Sequence, residues 1–237
     1  RRLDFNDDKT RVTLTFVINE GPRYRVADVR FVGNEVFSGA ELAERIRLHP
    51  GEYYTSEAVR RDVKRLQDTY GELGYVYASV RADRRYKQTP GEVDLVFTVE
   101  ESDQYRVGKI YIRGNTLTQQ RVIRRQLGFL PERLYNTVAV EKSKRRLMES
   151  RLFETVEITP VGDEPGVRDA VGEVSEGQTA EFLIGVGISS SSGLLGNVSL
   201  AQRNFDILAF PTSWRDIVEG RAWKGAGQTF RMTAEPG

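Results

Sequence analysis

Apolar and polar positions along this chain change rhythm several times, and the sequence of rhythms recurs. Val26, Val29 and Phe31 alternate imperfectly and stop at the turn pair Gly33-Asn34, which predicts a strand over Arg25–Val32. Ser38 is placed to cap a helix carrying Leu42, Ile46 and Leu48 on one face and closed by Pro50-Gly51. Ser56 is placed to cap a longer helix, in which Val59, Val63, Leu66 and Tyr70 recur at helical spacing before Gly71 and Gly74 end it. Tyr75–Arg84 and Glu92–Glu101 then alternate as two strands around Pro90-Gly91, so the unit reads β-α-α-β-β.

The same unit returns at an offset of 81 residues. Tyr24-Arg25-Val26 reappears as Tyr105-Arg106-Val107, Gly33-Asn34 as Gly114-Asn115, Pro50 as Pro131, Tyr54 as Tyr135 and Leu66 as Leu147. The second copy predicts a strand at 105–113, helices near 118–128 and 137–151, and strands at 153–161 and 167–176. Backwards, Val12, Leu14, Phe16, Ile18 and Glu20 map onto Val93, Leu95, Phe97, Val99 and Glu101, the tail of an earlier unit that starts in mid-pattern. The domain expectation is therefore a tail at 1–21, whole units at 22–103 and 104–178, and a different segment at 179–237. Two helices on one face of a three-stranded mixed sheet make an α+β fold. The expected sheet order is 2-3-1, with the second strand at an edge. The core is expected from Leu42, Ile46, Val63, Leu66, Phe97 and Val99, then Ile123, Leu127, Leu147, Phe153 and Val156.

After Gly177 the helical rhythm ends. Phe182, Ile184, Val186 and Ile188 lie on one strand face with Gly185 and Gly187 opposite, and a serine run with Gly193 makes a turn. Val198 and Leu200 oppose Asn197, Ser199 and Arg203, and Phe230, Met232 and Ala234 oppose Thr229, Arg231 and Thr233. Strands of about ten residues that are apolar on one side suit a membrane barrel, which needs at least about eight of them. Three cannot close, so this segment is expected to be disordered, to pair with a neighbouring copy or to pack irregularly.

Composition removes several alternatives. Lys and Arg total 35 against 34 Asp and Glu, so no global excess points to nucleic acid. No cysteine is present, which excludes disulfides and thiolate metal sites. The single histidine, His49, has no partners for a triad or a metal, so neither enzyme chemistry nor a cofactor is expected. No apolar run is long enough for a membrane helix. Gly185-x-Gly187 lacks the helix and Lys-Ser/Thr pair of a phosphate loop, and weakened strand pairing is the better reading. Charge is uneven: residues 24–104 carry 12 basic and 15 acidic groups, residues 105–178 carry 13 and 10. Lys142, Lys144, Arg145 and Arg146 on the second helix of the second unit are either a solvated face or a surface turned toward an anionic membrane.

The β-α-α-β-β unit with Gly-Asn after its first strand resembles the POTRA domain. Val122-Ile123-Arg124-Arg125-Gln126-Leu127, Leu152-Phe153-Glu154-Thr155-Val156, and Gly185 to Ser190 with Gly193, Gly196 and Asn204-Phe205 are similar to the last POTRA domain and opening barrel hairpin of the Omp85/BamA family. Gln126 departs from the glutamate common there, and residues 206–226 are longer than the usual first connection. The resemblance implies outer-membrane location with POTRA domains in the periplasm, and a role in inserting β-barrel proteins. Its partners would be unfolded outer-membrane proteins, accessory assembly lipoproteins and the membrane itself. A secretion or translocation pore of the same superfamily is the alternative. On this reading Tyr75, Val76, Tyr77, Ala78, Phe153 and Val156 mark client-docking edge strands, and Gly185 and Gly187 a barrel gate. Arg124, Arg125 and Gln126, with Lys142, Lys144, Arg145 and Arg146, mark a surface facing partner or membrane.

Overall fold

The computed structural model describes residues 2–8, 10–16, 22–189 and 193–234. Ile18, Glu20 and the serines at 190–192 lie outside the described residues. The chain opens on an antiparallel pair, β1 (Arg2–Phe5) and β2 (Val12–Thr15). The first repeat follows as β3 (Arg25–Val32), α1 (Gly39–Arg45), α2 (Ser56–Glu72), β4 (Ser79–Tyr86) and β5 (Glu92–Glu100). The second is β6 (Arg106–Arg113), α3 (Gln120–Arg124), α4 (Thr137–Glu149), β7 (Phe153–Val161) and β8 (Val167–Glu176). A third part holds β9 (Ala180–Ser189), β10 (Gly193–Phe205), a short helix α5 (Trp214–Val218) and β11 (Gln228–Ala234). By contacts the chain forms two compact units, Arg1–Leu66 with Val80–Glu100, and Gln67–Ser79 with Glu101–Gly237.

Both repeats make mixed α+β sheets in the expected order, β3-β5-β4 and β6-β8-β7. The first and last strands of each repeat run parallel, and β7 runs antiparallel to β8. The recurrent glycines explain themselves here. Gly33 and Gly114 have φ of +79° and +87°, and a Cβ on either would lie 2.3 Å from the Val99 carbonyl oxygen or 1.9 Å from that of Val174. Only glycine permits that approach to the central strand. The following asparagines close the next turn, Asn34 donating to the Phe37 carbonyl and Asn115 to the Thr118 carbonyl.

Several local expectations give way. Ser38 caps α1 as anticipated, and Glu41 completes a capping box with it, but the helix ends at Arg45; Ile46 and Leu48 are buried from beyond the helix. The α2 cap is Thr55, whose hydroxyl accepts the Ala58 N–H, and not Ser56. The helix at 118–128 shortens to α3. Val63 and Leu127 are half-buried, whereas Asp62 is fully buried. Its carboxylate accepts the N–H groups of Arg47 and Leu48 at 3.0 and 2.9 Å and the Arg65 guanidinium at 2.9 Å, closing the chain beyond α1. At the offset of 81, buried Ser143 does the same for the Gly128 N–H at 2.8 Å. The remaining expected core residues are buried.

The segment after Gly177 is a regular antiparallel sheet of order β11-β10-β9, contrary to the expectation of irregular packing. It is attached to the second repeat by side-chain hydrogen bonds.

Candidate functional site

The start of β3 is covered by the loop at 51–54, with Val26 donating to the Glu52 carbonyl and Tyr54 to the Tyr24 carbonyl. The equivalent loop covers β6, through Val107 to Arg133 and Tyr135 to Tyr105. The outer edges of β4 and β7 pair with no strand among the described residues. On β7, Pro160 lacks an N–H, a residue confined to edges and bulges. Phe153 and Val156 lie on this strand with buried side chains, so what they leave outward is backbone. On β4, Arg81, Asp83, Arg84 and Arg85 are exposed, and Arg84 donates to the Tyr54 hydroxyl at 2.9 Å.

The candidate edge at Tyr75, Val76, Tyr77 and Ala78 is corrected: these four residues form a turn, and β4 begins at Ser79. Gly74, at φ +89°, accepts the Tyr105 N–H at 2.8 Å and sits so close that a Cβ would meet the Tyr105 carbonyl at 2.7 Å. The Tyr77 ring then packs edge-on against Tyr105 at 5.5 Å, and Arg168 lies over Tyr105 at 4.1 Å while donating to the Tyr77 hydroxyl. Val76 packs on the core of the second repeat. These aromatics fix the end of α2 to the next repeat; alternation alone could not distinguish that from a strand.

The basic positions do not form one patch. Lys144 pairs with Glu157 at 2.7 Å, and Arg146 reaches the Ser143 hydroxyl. Lys142 and Arg145 are exposed. Arg124 donates to the Ile110 carbonyl at 3.1 Å, while Arg125 and half-buried Gln126 line a cleft with Arg203, Gly227 and Thr229.

In the third sheet the register separates two faces. Ile184 pairs with Val198 and Phe182 with Leu200, and Leu200 in turn pairs with Met232, so apolar residues share one side. Phe182, Ile184 and Val186 are exposed. Glu181, Asn197, Ser199, Arg231 and Thr233 line a hollow on the other side, together with the apolar Leu183 and Ala201. Gly185 pairs with Asn197 and Gly187 with Leu195, both on β9, which is an edge strand of this sheet.

A polar clasp joins this sheet to the second repeat, and sequence reading missed it. Asn204 is buried; its side-chain N–H₂ donates to the buried Thr118 hydroxyl and its side-chain oxygen accepts the Gly227 N–H, both at 2.9 Å. The Gln119 amide donates to Asp206 at 2.7 Å, and the Gln119 N–H donates to the Gly225 carbonyl. Beneath the turn, Glu176 accepts from the Thr116 hydroxyl and from the N–H groups of Thr116, Leu117 and Thr118. Burial pushes the Glu176 carboxyl up, but the hydrogen bonds from Thr116, Thr118 and Leu117 outweigh it and hold it below the ordinary value of 4.5. Because the folded state is the stronger acid, this contribution is complete above 4.5 and disappears as pH falls through the lowered folded value. Glu176→Gln is therefore expected to flatten the acid limb of the unfolding midpoint plotted against pH. A variant that keeps the wild-type slope below 4.5 would show that Glu176 is not its source.

Two α+β repeats followed without a linker by a clasped antiparallel sheet define a tandem-repeat protein with an attached β domain. The sequence model of the POTRA family, described as surface antigen variable number repeat, matches residues 24–102 and 105–177. The chain belongs to the POTRA family and is a POTRA-containing member of the Omp85/BamA group. It is 28% identical over 207 residues to the outer membrane protein assembly factor BamA of Buchnera aphidicola, covering 86% of this chain and 33% of that one. It is 28% identical over 206 residues to BamA of Neisseria meningitidis, covering 85% and 26%. This chain thus spans a third or less of the length of these relatives. Among solved structures, Haemophilus influenzae BamA POTRA3-5 matches with TM-score 0.60 and 27% identity, covering 74% of this chain and 70% of that one. BamA from Haemophilus ducreyi lacking POTRA domains 1-3 matches with TM-score 0.70 and 22% identity over 90% of this chain and 37% of that one, a likeness of fold.

Proposed function

We propose that this chain is the membrane-proximal part of an outer-membrane assembly factor that folds and inserts β-barrel proteins, acting by binding and templating and not as an enzyme. Residues 22–103 and 104–178 are its last two POTRA domains, held in the periplasm, with residues 1–21 closing a preceding one. Residues 179–237 are the opening strands of the barrel. The observation that carries this reading is the two-faced sheet, apolar and exposed on one side and mainly polar on the other, clasped directly to the second repeat. Its partners are unfolded outer-membrane proteins and accessory lipoproteins. Gly185 and Gly187 weaken the pairing of the first barrel strand and make it the gate through which clients enter the membrane.

Clients dock by adding an extended strand to the edge of β4, or of β7 as far as Pro160, because main-chain hydrogen bonds tolerate varied side chains. Lys87 donates its N–H to Glu92 across the hairpin. With that alternation carried unbroken along β4, the backbone N–H groups of Arg85, Asp83 and Arg81 turn toward β5 and that of Ala82 turns outward. Ala82→Pro removes that donor while sparing the ladder. Losing that one hydrogen bond, at about 1 kcal/mol, is expected to weaken binding of an extended outer-membrane peptide about fivefold. The unfolding midpoint should stay near wild type. Unchanged affinity in the folded variant, measured by fluorescence anisotropy, would reject β4 as the rail.

A further inference from the structure

The connection between β10 and β11 has apolar side chains on its outside and satisfied polar groups within. Leu208, Phe210 and Trp214 are 78%, 70% and 76% exposed, Ile207 is exposed as well, and both tryptophans of the chain, Trp214 and Trp223, lie in this segment. Trp214 and Ile217 stand three apart on α5 and share a face. Exposed apolar residues on a disordered loop would mean little, but this loop is built. Asp216 accepts from the Thr212 N–H and hydroxyl and from the Ser213 N–H, at 2.9–3.0 Å. Its own carbonyl receives the N–H groups of Arg221 and Ala222, and its carboxylate pairs with Arg221 at 3.4 Å. The Trp223 N–H donates to the Ala209 carbonyl and the Asp206 N–H to the Trp223 carbonyl, which ties the two ends of the loop together.

Gln202 pairs with Ala180, so the loop leaves β10 at the end of the sheet where the chain enters from the second repeat. It begins where the apolar face of Phe182, Ile184 and Val186 stops. A ten-residue strand at about 3.3 Å per residue, tilted about 45°, crosses an apolar band about 25 Å tall, so this end of β9 falls at the boundary between hydrocarbon and water. That boundary accepts tryptophan and phenylalanine and requires backbone groups to be satisfied internally.

We infer that residues 207–217 form an interfacial anchor, seated at the headgroup boundary of the lipid bilayer on the side of the second repeat. Arg215 follows Trp214 and Lys224 follows Trp223 in the chain, and both suit phosphate headgroups at that depth. The inference rests on the proposal that β9–β11 belong to a membrane barrel. It assigns a role to the connection between β10 and β11: holding the second repeat against the membrane surface through the clasp at Asn204 and Asp206.

The test uses the full gene product in vesicles of phosphatidylethanolamine and phosphatidylglycerol, with nitroxide labels on an otherwise cysteine-free background; this chain contributes no cysteine. Labels at Phe210→Cys, Ile184→Cys and Gln178→Cys are compared for collision with oxygen, which concentrates in lipid, and with a water-soluble nickel chelate. The anchor requires the 210 label to shift to a depth between the deep 184 label and the aqueous 178 label. If 184 is deep and 210 behaves like 178, the anchor is overturned while the barrel stands. If 184 is deep and 210 is shielded from both reagents, a protein surface covers the loop, and the anchor is again overturned. A 184 label with aqueous exposure overturns the barrel reading and the anchor with it.

Discussion

Gly114→Ala is expected to leave the second repeat largely unfolded under conditions where the wild-type chain is folded. The methyl group would sit 1.9 Å from the Val174 carbonyl oxygen, and that oxygen belongs to β8, the central strand. β8 cannot retreat without loosening its ladders with both β6 and β7. The positive φ of 87° adds a backbone penalty of its own. Together these should cost about 3 kcal/mol or more, a large part of the roughly 5 kcal/mol available to a domain this small. Gly162→Ala provides the control, since its φ is +112° but nothing lies within 4 Å of a Cβ there. Urea melts followed by circular dichroism should show a far larger midpoint shift for Gly114→Ala. Equal shifts would mean that close approach to the central strand is not what selects glycine. Gly33→Ala should act alike in the first repeat, where the approach is 2.3 Å.

Asn204→Leu is expected to release the sheet from the second repeat. The substitution strands the Gly227 N–H and the buried Thr118 hydroxyl together, and each buried polar group left unmade costs about 1–3 kcal/mol. Hydrogen exchange at Gly227, Gly225 and Gln119 should accelerate by an order of magnitude or more, because their amides sit in the clasp. Exchange in β7 and β8 should hardly change. A double-mutant cycle with Thr118→Val reads the coupling directly, expected at about 0.5–3 kcal/mol for residues in contact. Additive effects within experimental error would show that the two side chains act separately and that the clasp is not a unit.

Much of the site was hidden in the sequence for a local reason. Tyr75, Val76, Tyr77 and Ala78 have strand-like composition, and nothing near them in the chain announces that Tyr105 and Arg168 will hold them in a turn. Asp62 looks like one more charge on a polar helix face until the chain beyond α1 presents two N–H groups to it. Thr118, Asn204 and Asp206 are ordinary polar residues of turns and strand ends. Their burial depends on partners 86 and 87 residues away.

Everything periodic was legible along the chain: two β-α-α-β-β units in one register, their glycine turns, most of their core, and a sheet with one apolar face. Periodicity is local, because alternation by two or by 3.6 records which face of an element must leave water. Where β4 begins, which buried polar groups are satisfied and how the sheet is fastened to the second repeat depend on long-range packing. Those choices rest on hydrogen bonds and close approaches between distant segments, whose free energy exists only once the chain has brought the partners together.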